Sequence, residues 1–194
     1  MKTLIGAARL AAALALLPAA AGNAGAAEPI RAFKAAAPPI IDGSLSDPLW
    51  REAPSVTGFT TWRPDFGQVV PDPDQTIVWF AYDAENLYFA FRAPDSDPAR
   101  IQASVARRDT IISDDWVCIN LDSFGDKQSL YAFYVNPRGI QYDSRYAAGT
   151  EDPGFDVVWY SAGTIDTEGY SVEVRIPFKS IRYDGGDPVR MAVV

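Results

Sequence analysis

Beyond residue 39 this chain carries no helical apolar repeat longer than about two turns. Short apolar runs recur instead, separated by clusters of Gly, Pro, Asn and Asp, the pattern of a strand-built domain. Residues 76–82 and 87–93 are the plainest pair, joined by a hairpin-length turn at 83–86. The first is apolar on both faces: Ile77, Trp79 and Ala81 line one side, and Val78, Phe80 and Tyr82 the other. Strands of that kind belong in the middle of a packed sandwich. In 116–121, Val117, Ile119 and Leu121 stand opposite Trp116, Cys118 and Asn120. Residues 130–135 and 140–146 form a second hairpin around 136–139, and 155–162 with 170–176 form a third pair. Tyr170, Val172, Val174 and Ile176 alternate with Ser171, Glu173 and Arg175, which predicts one solvated face. Shorter extended pieces are expected at 40–43, 56–62 and 102–107, with a long loop at 63–74. Asp47 and Pro48 read as the cap and first position of a short helix that buries Trp50. The terminal 191–194 reads as the start of one more strand, which either pairs as the last or leads into a further domain. The fold class is all-β, a β-sandwich over residues 40–194, with residues 27–39 as a lead-in segment.

Composition narrows the chemistry. The chain has no histidine and one cysteine. A Ser-His-Asp or Cys-His nucleophile, an imidazole base and a histidine-ligated zinc are thereby excluded. Cys118 has no intramolecular disulfide partner, and inside a strand it reads as a small buried apolar residue. Two carboxylates suffice for a glycosidase, yet no pair is singled out by spacing. Residues 1–26 read as a secretory signal peptide: Lys2 and Arg9 precede an Ala- and Leu-rich stretch too short to span a membrane, and Ala24-Gly25-Ala26 offers a cleavage site. An exported location, in the periplasm, on the envelope or secreted, follows. The net charge of −8 falls further once those two basic residues are removed. Such a chain repels a phosphate backbone, so no nucleic-acid partner is expected, and no membrane span is expected in the mature chain.

An ordered set of short motifs carries a resemblance. Ile41-Asp42-Gly43 with Asp47-Pro48-Leu49-Trp50, Ala81-Tyr82-Asp83 with Asn86-Leu87-Tyr88, and Arg108-Asp109 with Asp114-Asp115 open it. Val135-Asn136-Pro137-Arg138-Gly139, Val158-Trp159 and the stretch from Gly169-Tyr170 to Ile176-Pro177-Phe178 complete it. Together they resemble the family 9 carbohydrate-binding-module-like domain. The resemblance covers roughly 38–190. It implies a jelly-roll-type sandwich, non-catalytic binding of an oligosaccharide or polysaccharide, and a link to polysaccharide breakdown. It also implies that 191–194 lead into a further domain; docking of this sheet on that domain is what an interaction ectodomain would show. Sugar binders of the family clamp a terminal sugar between two tryptophans, and no motif places that pair here. An interaction ectodomain of a longer envelope protein, without sugar binding, is the alternative.

Sugars present apolar C–H faces and a rim of hydroxyls, so a site needs aromatic platforms beside hydrogen-bonding side chains. The candidate residues are Trp62 at a loop edge, Trp116 beside the acidic 114–115 pair, and Tyr134, Asn136 and Tyr142 on neighbouring strands. Arg108 and Asp115 are candidates for bidentate contacts to vicinal hydroxyls. No cofactor is required. Calcium is the cation such a turn would suit, with Asp95 and Asp97 as its ligands.

Overall fold

The computed structural model describes residues 29–62 and 65–193. Eleven strands among them form two sheets. The first comprises β1 (Phe33–Lys34), β2 (Ser55–Val56), β3 (Ile77–Tyr82), β4 (Asn86–Pro94), β9 (Tyr160–Asp166) and β10 (Gly169–Pro177). Its order is β1-β3-β4-β10-β9, with β2 also paired to β3. The second comprises β5 (Val117–Asp122), β6 (Ser129–Val135), β7 (Gln141–Ala147), β8 (Thr150–Asp152) and β11 (Ala192–Val193), in the order β11-β5-β6-β7-β8. Every pairing is antiparallel except β1 with β3. The hairpins β3–β4 and β6–β7 fall where the alternation and the turn residues put them.

The main core lies between the sheets. Val78, Phe89 and Phe91 with Val172, Val174 and Ile176 from the first sheet meet Val117, Ile119, Tyr131, Phe133 and Val135 from the second. Period-two alternation delivers these residues to the inner faces. A second, smaller core explains why β3 and β4 are apolar on both sides. The short helix α1 (Pro48–Glu52) and the segment leading to it lie across the outer face of the first sheet. There Trp50 and Ala53 pack with Ala81, Tyr88 and Ala90, flanked by Ile41, Leu45 and Leu49.

That cover corrects one reading. The polar side of β10 is not solvated: Ser171 and Glu173 are buried beneath the 41–50 segment, Glu173 with 0% exposure. Its carboxylate accepts the Trp50 indole N–H at 2.7 Å, the Gly43 N–H at 2.9 Å and the Asp42 N–H at 3.1 Å. Ser171 Oγ donates to Gly43 O at 2.6 Å. An alternating pattern cannot distinguish water from a second layer of protein when polar side chains find partners there.

Other boundaries also shift. Residues 40–43 form a bend rather than a strand, and β1 inside the lead-in takes the edge beside β3. Of 56–62 only Val56 is paired in a strand, while Thr60 bridges to Val69. Residues 155–159 are irregular, and the strand runs from Tyr160 to Asp166. The three-residue β8 has no apolar pattern to announce it. The terminal β11 pairs with β5. The signal-peptide reading of residues 1–26 lies outside the described residues. Among the described residues no helix is long and apolar enough to cross a membrane.

Three glycines fix how the layers meet at β9. Gly163 lies between the Gly43 bend on its outer side and the β6–β7 turn on its inner side, where Ser161 Oγ donates to Gly139 O at 2.8 Å. A Cβ on Gly163 would stand 2.6 Å from Pro137 O and 2.9 Å from Gly139 N. Both are backbone atoms and cannot swing aside. Gly163→Ala is therefore expected to cost about 1–3 kcal/mol, seen as a fall of roughly 2–12 °C in the melting midpoint.

Candidate functional site

Three of the candidate side chains do come together. On the outer face of the second sheet the register sets Cys118 beside Tyr134 and Tyr134 beside Tyr142. Trp116 meets Tyr134 edge-on, with ring centroids 4.9 Å apart, and Tyr134 meets Tyr142 at 5.1 Å with a 47° tilt. The rings thus form a row in which neighbours present edges rather than one flat platform. Cys118 is buried, and burial pushes its thiol well above the ordinary value. Burial does the same, most of all, to the Tyr134 phenol.

The remaining candidates lie elsewhere, each for a local reason. Trp62 is exposed (47%) and packs edge-on against Phe66 in the 59–74 loop. Asn136 has no exposure and is the pin of the β6–β7 turn. Its Oδ1 accepts the Arg138 and Ile140 N–H groups, and its Nδ2 donates to Ser104 O and to Asp114 Oδ2. No hydrogen-bonding capacity faces outward, so Asn136 is structural and not a ligand contact. Asp115 accepts the Gln102 N–H at 2.8 Å and, with its own N–H bonded to Gln102 O, ties Gln102 to the segment entering β5. In the proposed calcium turn, Asp95 Oδ1 caps the Asp97 N–H at 2.7 Å. Among the described residues no group of three or more His, Cys, Asp or Glu side chains that could hold a metal ion is found.

Arg108 is the candidate around which most chemistry converges. Its guanidinium donates to Gln141 Oε1 at 3.0 Å and to Val157 O at 2.9 Å. It pairs with Asp156 at 2.8 Å and with Asp143, and its carbon lies 5.9 Å from the centre of the Trp159 ring. Asp143 is fully buried, and its second oxygen accepts the Val157 N–H at 3.1 Å. Burial holds its carboxyl above the ordinary value, against the lowering effect of Arg108. Asp109, next in the chain, sits at φ +69°, a conformation that a non-glycine residue holds only when its surroundings impose it. Gln141 completes the arrangement by donating to Trp159 O at 3.1 Å.

Gln141 and Trp159 also line an open cleft of about 450 Å³, together with Pro39, Ile40, Ile41, Tyr160, Ser161 and Arg175. Tyr160 is 43% exposed, and the Arg175 guanidinium lies 4.0 Å from its ring centre. The cleft therefore sets an accessible aromatic ring and apolar aliphatic walls beside fixed amide, hydroxyl and guanidinium groups. That is the donor and stacking set a sugar ring needs. Sequence reasoning named Arg108 but missed Gln141, Asp143, Asp156, Tyr160 and Arg175. Residues of the cleft come from both sheets and from the 39–41 segment, so no contiguous motif announces it.

In fold, the chain resembles two solved structures of a carbohydrate binding module family 9 protein from Caldicellulosiruptor kristjanssonii. The one in complex with cellotriose is 20% identical with a TM-score of 0.53, over 75% of this chain and 65% of that one. The one in complex with glucose is 19% identical with a TM-score of 0.51, over 80% of this chain and 71% of that one. This chain thus spans slightly less than two thirds of the length of the cellotriose-bound protein. No curated protein matches the chain. Residues 41–193 match the sequence profile of the carbohydrate family 9 binding domain-like family, and the chain belongs to that family.

Proposed function

We propose that this domain binds carbohydrate without transforming it, and that the cleft between the 39–41 segment and β9 is where it does so. One observation carries the placement. Gln141 is held at both ends of its amide, by Arg108 and by Trp159 O, on the wall of a cleft that exposes the Tyr160 ring. Groups already fixed before the ligand arrives lose little conformational freedom on binding. The family membership and the sugars held by the two solved relatives support the same reading. The finer reading is of an exported module that serves polysaccharide breakdown. It rests on the character of residues 1–26 and on the family resemblance.

Titration calorimetry of the chain against a panel of short oligosaccharides tests the proposal. Saturable heat is expected for at least one sugar, and Tyr160→Ala is expected to lower its affinity about tenfold or more through loss of the stacking surface. If Trp116→Ala lowers it instead while Tyr160→Ala leaves it intact, the aromatic row on the second sheet is the platform. No heat across the panel from a folded protein would favour the interaction-domain alternative.

A further inference from the structure

Among the described residues, the basic side chains fall into two groups. Most are exposed, and the partly buried ones carry anionic partners: Arg92 pairs with Asp166 and Glu168, and Arg108 with Asp143 and Asp156. Arg175 alone breaks the pattern. It is partly buried on β10, makes no side-chain hydrogen bond and no ion pair among the described residues, and has a buried Nε without a partner. Its guanidinium stacks on the Tyr160 ring at 4.0 Å, and its charge acts on the neighbouring Tyr88 phenol across the β4–β10 pairing. This occurs in a protein with 25 acidic against 17 basic residues, where an anionic neighbour is easily supplied. An uncompensated guanidinium that is partly withdrawn from water is costly to hold. Here it is held in place, with an aromatic face stacked on it, at the wall of an open cleft.

We propose that Arg175 is the counter-ion for a carboxylate on the bound sugar, so that the cleft selects acidic sugars of the uronate class. The inference rests on the sugar-binding reading of the same cleft and adds the charge of its ligand. A guanidinium recognises a carboxylate through two parallel N–H donors. The chemistry favours a single negative charge over a phosphate dianion, because one cation lines the cleft and the protein as a whole is negative. The alternating strand explains how the residue comes to be there. Ser171, Glu173 and Arg175 share the outer face of β10. The 41–50 segment covers the first two and leaves the third at the cleft.

The test compares an oligosaccharide built of uronic acids with the same oligosaccharide after its carboxyl groups have been reduced to neutral hydroxymethyl groups, each titrated into the whole chain. The acidic form is expected to bind about tenfold or more tightly than the neutral one, with a preference that shrinks as salt is added. Arg175→Gln, shown folded by its circular dichroism, is expected to bring the acidic form down to the affinity of the neutral one. Equal affinity of the two forms for the unaltered protein would overturn the inference while leaving sugar binding standing. So would a preference that survives in Arg175→Gln. Absence of heat with both forms and with the wider sugar panel would overturn the sugar-binding reading itself, and this inference with it.

Discussion

Glu173→Ala is expected to cost about 3–5 kcal/mol. The residue has no exposure, and its two oxygens receive three donors: the Trp50 indole N–H and the backbone N–H groups of Asp42 and Gly43. Alanine leaves all three without an acceptor, at about 1–3 kcal/mol for each buried group that stays unsatisfied, and opens a cavity beneath the helix. Urea unfolding with an unchanged slope and a lowered midpoint is the expected signature. The melting midpoint should fall by roughly 6–20 °C. Wild-type stability should stay indistinguishable from the variant's only if the 41–50 segment is not seated as described.

The same carboxyl predicts a pH dependence. Burial raises its folded value above the ordinary one, opposed by the bonds from Trp50, Asp42 and Gly43. The fold therefore favours the protonated form relative to the unfolded chain. Stability contributed here is full below the ordinary glutamate value and is lost as pH rises through the raised one. Asp143 has the same sign. Asp83, Asp114 and Asp166 have the opposite sign, because hydrogen bonds to their carboxylates outweigh burial, and they lose their contribution only as pH falls below the ordinary aspartate value. The stability contributed by Glu173 and Asp143 should accordingly decline as pH rises out of the acid range through their raised values. In Glu173→Gln, which carries no charge at any pH, the decline should be shallower.

Arg108→Ala is the second large effect. Asp143 lies fully buried, and removing its cation leaves an uncompensated charge, at about 3–5 kcal/mol near neutral pH. The carboxyl escapes that cost by taking up a proton, so the deficit should be much smaller near pH 4 than at pH 7. A merely structural loss of side-chain packing would give the same deficit at both. Calorimetric melts of the variant and the parent across that range decide between them. The same substitution should also weaken sugar binding, since Gln141 loses the donor that orients its amide.

The sandwich was legible because its strands follow elementary rules. Val117, Ile119 and Leu121 had to share a face, and 76–82 could not be soluble on either side unless covered. The cover itself was harder to read. Trp50 was recognisable as a buried residue beside a helix cap, yet nothing in Ser171-Val172-Glu173 states that a polar face is buried. The information lies in donors about 130 residues away. Arg108 was found because a charged side chain beside strand ends is conspicuous. Tyr160 and Arg175 were overlooked because each looks like an ordinary exposed position on an edge or alternating strand. Only the pairing of Tyr160 with Arg175 across β9 and β10 brings the ring and the cation together. Asn136 was misread for a related reason: an asparagine before a turn serves equally well as a ligand contact or as the lock of the turn itself.

The Glu173 contact also sets an order of events during synthesis. The indole of Trp50 and the acceptor it requires are separated by 123 residues. At translation rates of 5–20 residues per second the interval between them is roughly 6–25 seconds. Throughout that interval the helix and its apolar flank are available to the nascent chain, but the anchor that fixes them against the first sheet has not yet been made. A chain interrupted before β10 therefore carries an unfastened hydrophobic flap, one that a protease or chaperone would meet before the finished sandwich exists.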